Sequence, residues 1–226
     1  MKRLAAAFAL SLFSAAASAQ PFQNGSFEVG GGVPCNTFNV PAGSTLITGW
    51  TVSVGNIDWL GAPPSCGWQA SNGIASLDLV GSGAGGIGGI QQTFDTVPGQ
   101  TYVVSFDLAG NSGAPPLIKP LAVTVNGTTR TFTFDTTGRT GTNMGWTAHS
   151  FEFTATGASA TLNFVSDVSP AGGTLNAGAA LDNVRVQAVT DGGPSAPIPL
   201  DWAHVGAMLL LLLAASVLIP RRARRR

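Results

Sequence analysis

Basic charge, histidine, cysteine and helical periodicity are what this chain has least of. Its 226 residues include two histidines, two cysteines and one tyrosine, and only 10% are charged. Between a basic start and a basic end, just four cations occur: Lys119, Arg130, Arg139 and Arg185. Against them stand 11 acidic residues, Glu28 through Asp201, so that region carries net −7. A nucleic-acid or anionic-lipid partner requires a basic patch, and four scattered cations do not form one. A histidine-dependent nucleophile has His149 alone to call on, and it alternates with Phe151 and Phe153 as a packed residue would. A zinc site lacks ligands altogether.

The cysteines, Cys35 and Cys66, form no CxxC pair. In an exported chain an even count reads as one disulfide, which would close a loop of roughly 30 residues and contribute about 3–4 kcal/mol. Two free thiols are the alternative.

Export is indicated at the N-terminus. Lys2 and Arg3 precede the short apolar run Leu4 to Phe13, and Ala17-Ser18-Ala19 has the small-x-small form of a signal peptidase site. At the other end, residues 203–219 have His204 as their only strongly polar side chain, and span about 25 Å as a helix. Trp202 stands at its near edge, and five of the last six residues are arginines, which suits a cytoplasmic stop. The expected organisation is a signal peptide over 1–19 and a domain over 20–188. A Gly/Pro linker (189–201), a transmembrane helix (202–220) and a basic tail (221–226) follow.

The body is rich in Gly, Thr, Ser, Val and Phe, in short alternating runs broken about every ten residues. Tyr102, Val104, Phe106 and Leu108 share one strand face, as do Phe132 and Phe134. His149, Phe151 and Phe153 repeat the pattern, followed by Ala160, Leu162 and Phe164, then Asp182, Val184 and Val186. Turn chemistry separates them: Pro98-Gly99, Asn126-Gly127, Thr137-Gly138, Gly172-Gly173. About ten such strands predict an all-β fold, a two-sheet β-sandwich of jelly-roll type. The glycine run from Gly81 to Gly89 reads as an inter-strand loop rather than a phosphate loop, since it lacks GxxxxGK[ST] and opens no helix.

Sugar recognition needs flat aromatic faces with amides or carboxylates beside them. Trp59 and Trp68 flank Pro63-Pro64, with Asp58, Gln69 and Asn72 alongside, and form the candidate ligand site; core packing is the plainer reading. Trp50 and Trp146, each after a glycine at a strand start, read as core. No two carboxylates share a local face, as glycoside hydrolysis would require.

The motifs NGSFE (24–28), LITGWTVSVGNIDWLG (46–61), WQASNGIASLDL (68–79), TYVVSFDLAGN (101–111), NMGWTAHSFEFTATG (143–157) and ALDNVRV (180–186), in this order, resemble the choice-of-anchor C family of bacterial surface proteins. The resemblance implies a galactose-binding-like jelly roll that engages glycans outside the cell. It further implies one structural Ca²⁺ held by Glu28 and Asp182, whose oxygen ligands suit that ion; an Asp182 that merely caps backbone amides is the alternative. Ile198-Pro199-Leu200, Trp202, the apolar run and the arginines resemble the PEP-CTERM and IPTL-CTERM sorting tails handled by exosortase-like enzymes, although Leu200 stands where those motifs carry Thr.

The expected function is therefore a non-catalytic, surface-anchored module that binds extracellular or cell-wall polysaccharide. A structural matrix protein without a sugar ligand and a glycan hydrolase are the alternatives. N-terminal sequencing of the exported protein is expected to begin at Gln20; a mature chain that begins at Met1 would remove the export reading.

Overall fold

The computed structural model describes residues 20–190, apart from 33–36, 62–66, 84 and 170–175. The predicted signal peptide, Cys35, Cys66 and the whole tail with Ile198, Pro199, Leu200 and Trp202 lie outside the described residues.

Ten strands are present among the described residues: β1 (Thr37–Pro41), β2 (Thr51–Gly61), β3 (Ala75–Asp78), β4 (Ile87–Asp95), β5 (Thr101–Gly110), β6 (Ile118–Val125), β7 (Thr128–Asp135), β8 (Thr147–Thr154), β9 (Ser159–Asp167) and β10 (Ala179–Ala188). Every ladder between them is antiparallel, in the order β7-β6-β9-β4-β2-β3-β10-β5-β8, with β1 on the free side of β2. The path folds on itself. Sub-orders β3-β10-β5-β8 and β4-β9-β6-β7 are the two four-stranded sheets of a jelly roll, as the alternation predicted.

The two sheets face each other through aromatic side chains. Phe106 of β5 meets Phe132 of β7 and Phe164 of β9 at 5.2 and 5.4 Å between ring centroids, and Phe94 of β4 meets Phe153 of β8 at 6.4 Å. Trp50 and Phe27, both buried, close the same core at 5.2 Å. Buried residues alternate with more exposed ones along β6 and β9, and on β9 the outward ones are mostly polar.

One strand belongs to both sheets. Residues Thr51 to Gly55 of β2 pair with β4, while Asp58 to Gly61 pair with β3. The crossing point is Gly55, opposite Gly88. Gly55 has φ +60° and its missing Cβ would lie 1.9 Å from the Ile87 carbonyl oxygen; a Cβ on Gly88 would meet Leu79 O at 2.0 Å. Two glycines therefore let three backbones pass where the sheet bends. The predicted glycine loop accordingly ends earlier than expected: from Ile87 onward its residues are strand.

Asp182 also departs from expectation. A bulge between Asp182 and Arg185, with Asn183 at φ +52°, breaks the alternation with Val184 and Val186. Leu181 lies opposite Leu108 and Asp182 opposite Asp107, so Asp182 points away from the inter-sheet core.

Gly55→Ala combines a left-handed backbone with a backbone overlap. It is expected to cost roughly 3 kcal/mol, a fall in Tm of roughly 10 °C for a domain of this size. A Tm within 2 °C of wild type would refute the crossing-point account.

Candidate functional site

Of the residues predicted as ligand and metal sites, Glu28, Asp182 and Asn72 come together, as an anchor for one loop. Asp182 is fully buried and its carboxylate accepts three backbone amides, from Ser71 (2.7 Å), Asn72 (2.8 Å) and Asn183 (2.5 Å). Glu28 Oε1 accepts two more from the same loop, Ile74 and Ala75, at 2.9 Å each. Ser26 Oγ donates to Asn72 Oδ1 at 2.9 Å, while Ser71 Oγ and Asn183 Nδ2 both donate to Asp107. Positive amide hydrogens thus surround the oxygens that a shared Ca²⁺ would need. These hydrogen bonds are the ones the capping alternative describes. Among the described residues no three His, Cys, Asp or Glu side chains converge in a manner that would hold a metal.

Trp59 and Trp68 do not form a platform. Trp59 is 1% exposed, faces the inter-sheet core and donates its Nε1 to Phe27 O at 2.9 Å. Trp68 is 7% exposed, and its Nε1 donates to Ser76 Oγ at 2.8 Å on the other side of the sheet. Neither ring is exposed enough to stack on a sugar, so both are buried structural residues, on opposite sides of the sheet. Asp58 is likewise buried and receives the Asn39 amide at 2.7 Å, which ties β1 to β2. Gln69 and Asn72 are exposed on the anchored loop. Trp146, expected in the core, is only half-buried, with Nε1 on Gln69 O at 2.9 Å.

The better candidate lies where the sandwich is open. β7 ends one sheet and β8 ends the other, so their inward faces meet along an uncovered seam. From β8 come His149 and Phe151, and from β7 Phe132, all half-buried. Phe132 sits 5.1 Å from His149 and 6.3 Å from Phe151 between centroids, and His149 stacks on Phe106 at 5.6 Å. Arg130 lies over the Phe151 ring at 5.0 Å and donates to Glu152 O at 3.2 Å. Asn126, in the β6–β7 turn with Gly127, donates to Thr154 O at 3.0 Å across the seam. At this end the seam widens into a cleft of about 210 Å³, bordered by Val125, Thr128 and Thr156 as well. A row of partly open rings, threonine hydroxyls and a guanidinium can present apolar contact and hydrogen bonds together. Sequence reading assigned these rings to the core because they alternate correctly. What it could not show is that β7 and β8 are edges; the polar residues that alternate with their aromatics, Thr131 and Thr133 on β7 and Ser150 and Glu152 on β8, are the one available hint.

The carboxylates with raised affinity for protons are elsewhere. Burial pushes Asp78 up to about 7, against hydrogen bonds from Asn111, Val80 and Gly178. Burial also pushes Asp182 up to about 7, against the three loop amides and with Asp107 adding repulsion. Both are fully buried, so neither can touch a substrate. They do affect stability. Between about pH 4 and pH 7 the folded domain retains protons that the unfolded chain has released, so these groups favour the fold most at low pH and progressively less up to pH 7. Melting is expected at a higher temperature at pH 5 than at pH 8, with the difference reduced in Asp78→Asn; a Tm that rises from pH 5 to pH 8 contradicts this.

Comparison with known proteins bears on the whole domain. Halomucin of Haloquadratum walsbyi is 30% identical over 184 residues, which are 80% of this chain but 2% of that protein, so the chain spans a small fraction of this curated relative's length. Among solved structures, the chain is similar to TmCBM61 in complex with β-1,4-galactotriose, at 16% identity and TM-score 0.47 over 76% of this chain and 100% of that one. It is similar to the CBM22-1 xylan-binding domain from Paenibacillus barcinonensis Xyn10C, at 18% identity and TM-score 0.42 over 73% and 99%. A family 35 carbohydrate binding module from Clostridium thermocellum gives 14% identity and TM-score 0.41 over 61% and 90%. The family model described as "Protein of unknown function (DUF642)" matches residues 20–187, all ten strands but for the last residue of β10. The chain belongs to the DUF642 family.

Proposed function

We propose that this domain is a non-catalytic module that binds polysaccharide along the β7–β8 seam. The observation that carries the reading is the row of half-buried rings, Phe132, His149 and Phe151, rimmed by Thr128, Thr154 and Arg130. Sugars offer apolar C–H faces and hydroxyl edges at once, and this mixture of ring and polar rim is the complement of both. Because the rings follow an open edge rather than encircle a pocket, an extended chain suits them better than a free monosaccharide. Arg130 has no ion-pair partner among the described residues, so its remaining donors are available to hydroxyls. Asp58, Asp78 and Asp182, the carboxylates whose proton affinity is raised, are all buried, which supports binding without hydrolysis. On the sequence alone, the module is exported and held at the cell envelope by its apolar tail, either as a membrane helix or after an exosortase-like enzyme has processed it.

Affinity electrophoresis of the full-length protein in gels of cell-envelope and plant polysaccharides tests this reading. Phe151→Ala is expected to weaken retention by roughly five- to tenfold, from the loss of about 1–1.4 kcal/mol of ring contact, with little change in Tm. Arg130→Ala is expected to act in the same direction. Trp59→Ala serves as the contrast, since loss of a buried Trp costs about 3–5 kcal/mol of stability. If Phe151→Ala and Arg130→Ala migrate as wild type does in every gel that retards it, the seam is not the site. If no polysaccharide retards even the wild type, the matrix-protein alternative replaces binding.

A further inference from the structure

Asparagine followed by glycine occurs three times, at Asn24-Gly25, Asn72-Gly73 and Asn126-Gly127. In such a pair the glycine nitrogen can reach the asparagine side-chain carbon, because no Cβ on the glycine obstructs it. The structure separates the three. Asn24 is locked: its Nδ2 donates to Val29 O and Thr48 O, and its Oδ1 accepts the Val29 amide. Gly25 beside it is so confined that a Cβ would lie 1.8 Å from Val184 O. Asn72 sits in the anchored loop, where carboxylates hold the amides of Ser71, Asn72, Ile74 and Ala75 on both sides of Gly73. A Cβ on Gly73 would lie 2.2 Å from Glu28 Oε1, and a carboxylate that close opposes any negative charge on the Gly73 nitrogen. Asn126 and Gly127 have no such restraint. They form the two-residue turn between β6 and β7, with φ +50° and +73°. The ladder closes on Val125 opposite Thr128, which leaves the Gly127 amide outside it. Gly127 is exposed, with nothing within 4 Å of where a Cβ would stand. The Asn126 side chain makes one hydrogen bond among the described residues, Nδ2 to Thr154 O at 3.0 Å, which engages its nitrogen and leaves Oδ1 unheld.

We propose that Asn126 is a site of slow self-modification to aspartate or isoaspartate, which unfastens one end of the seam. Hydroxide takes the proton from the Gly127 amide, and the nitrogen forms a bond to Asn126 Cγ. The Cγ–Nδ2 bond breaks, and Nδ2 leaves as ammonia with a proton from water. Water then opens the cyclic imide at either carbonyl, to give aspartate or isoaspartate; one water is consumed and one ammonia released. Both products lose the donor to Thr154 O and set a carboxylate oxygen against that carbonyl, two acceptors with no hydrogen between them. Isoaspartate also adds one carbon to the main chain, so a turn built from two residues no longer closes Val125 on Thr128 in register. The bond from Arg130 to Glu152 O then remains as the neighbouring tie across the seam. Weaker retention of polysaccharide by the modified protein follows as well, and that consequence alone rests on the seam reading.

The test ages the full-length protein in mildly alkaline buffer and maps it by peptide mass spectrometry, with synthetic aspartate and isoaspartate peptides as standards. A gain of one mass unit is expected first at Asn126, at a rate proportional to hydroxide. The modified fraction is then separated by its extra negative charge. Its amides over 147–156 are expected to exchange with deuterium roughly fivefold faster than in fresh protein, as the loss of one hydrogen bond implies. Three results would each overturn the proposal: an Asn126 that survives while the same protein unfolded in guanidinium converts, a first gain at Asn24 or Asn72, or exchange over 147–156 that modification leaves unchanged. The seam reading fails separately. A modified fraction with faster exchange that polysaccharide gels retard as they do fresh protein would leave this site standing and count against the seam as the ligand site.

Discussion

The structure depends on β2 serving both sheets. Because Thr51 to Gly55 pair with β4 and Asp58 to Gly61 with β3, the sandwich is joined by backbone hydrogen bonds along one long side. The opposite side has no such strand. There β7 and β8 stand as edges, joined by side chains that reach across, notably Arg130 and Asn126 to carbonyls of β8. A sheet that bends this sharply needs backbones closer than a Cβ allows, and Gly55 facing Gly88 supplies the room. The open seam, with its half-covered rings, is the geometric consequence of closure on the other side.

Carboxylates fasten loops to the sheets, Asp182 and Asp78 from buried positions and Glu28 from an exposed one. Asp182 and Glu28 between them accept four amides from residues 71–75 and hold that loop to the outer side of its sheet. Asp78 accepts Val80, Gly178 and Asn111, which brings the chain ends around β3 and β10 to the same point as buried Lys119. A loop that exposes its amides without such acceptors would lose their hydrogen bonds to burial. Acidic residues are thus concentrated at structural joints, which leaves Glu152 as the one carboxylate residue among those lining the seam cleft.

Much of the fold was legible in the sequence because strand alternation is local. The runs around Tyr102 to Leu108, Phe132 to Phe134, His149 to Phe153 and Ala160 to Phe164 all became strands with the anticipated faces inward. The site was not legible, for reasons that are non-local. Whether Phe151 is sealed or half open depends on which strand lies beside β8, and pairing partners are not written in alternation. Trp59 and Trp68 looked alike beside a proline loop, yet one faces the core and the other the outer side of the same sheet. Asp182 was placed on the inward face because the bulge at Asn183 leaves no strong local mark in ALDNVRV. The family match names a domain and not an anchor, so it adds nothing to the reading of the tail.

Edge strands carry one row of backbone amides with no ladder partner, and those amides exchange readily with solvent unless something covers them. Hydrogen–deuterium exchange of the full-length protein, with and without a polysaccharide that it retains, therefore tests the seam most directly. Binding is predicted to slow exchange in peptides that cover residues 126–134 and 147–156, and to leave those over 68–75 unchanged. Protection over 68–75 with none along β7 and β8 would contradict the account.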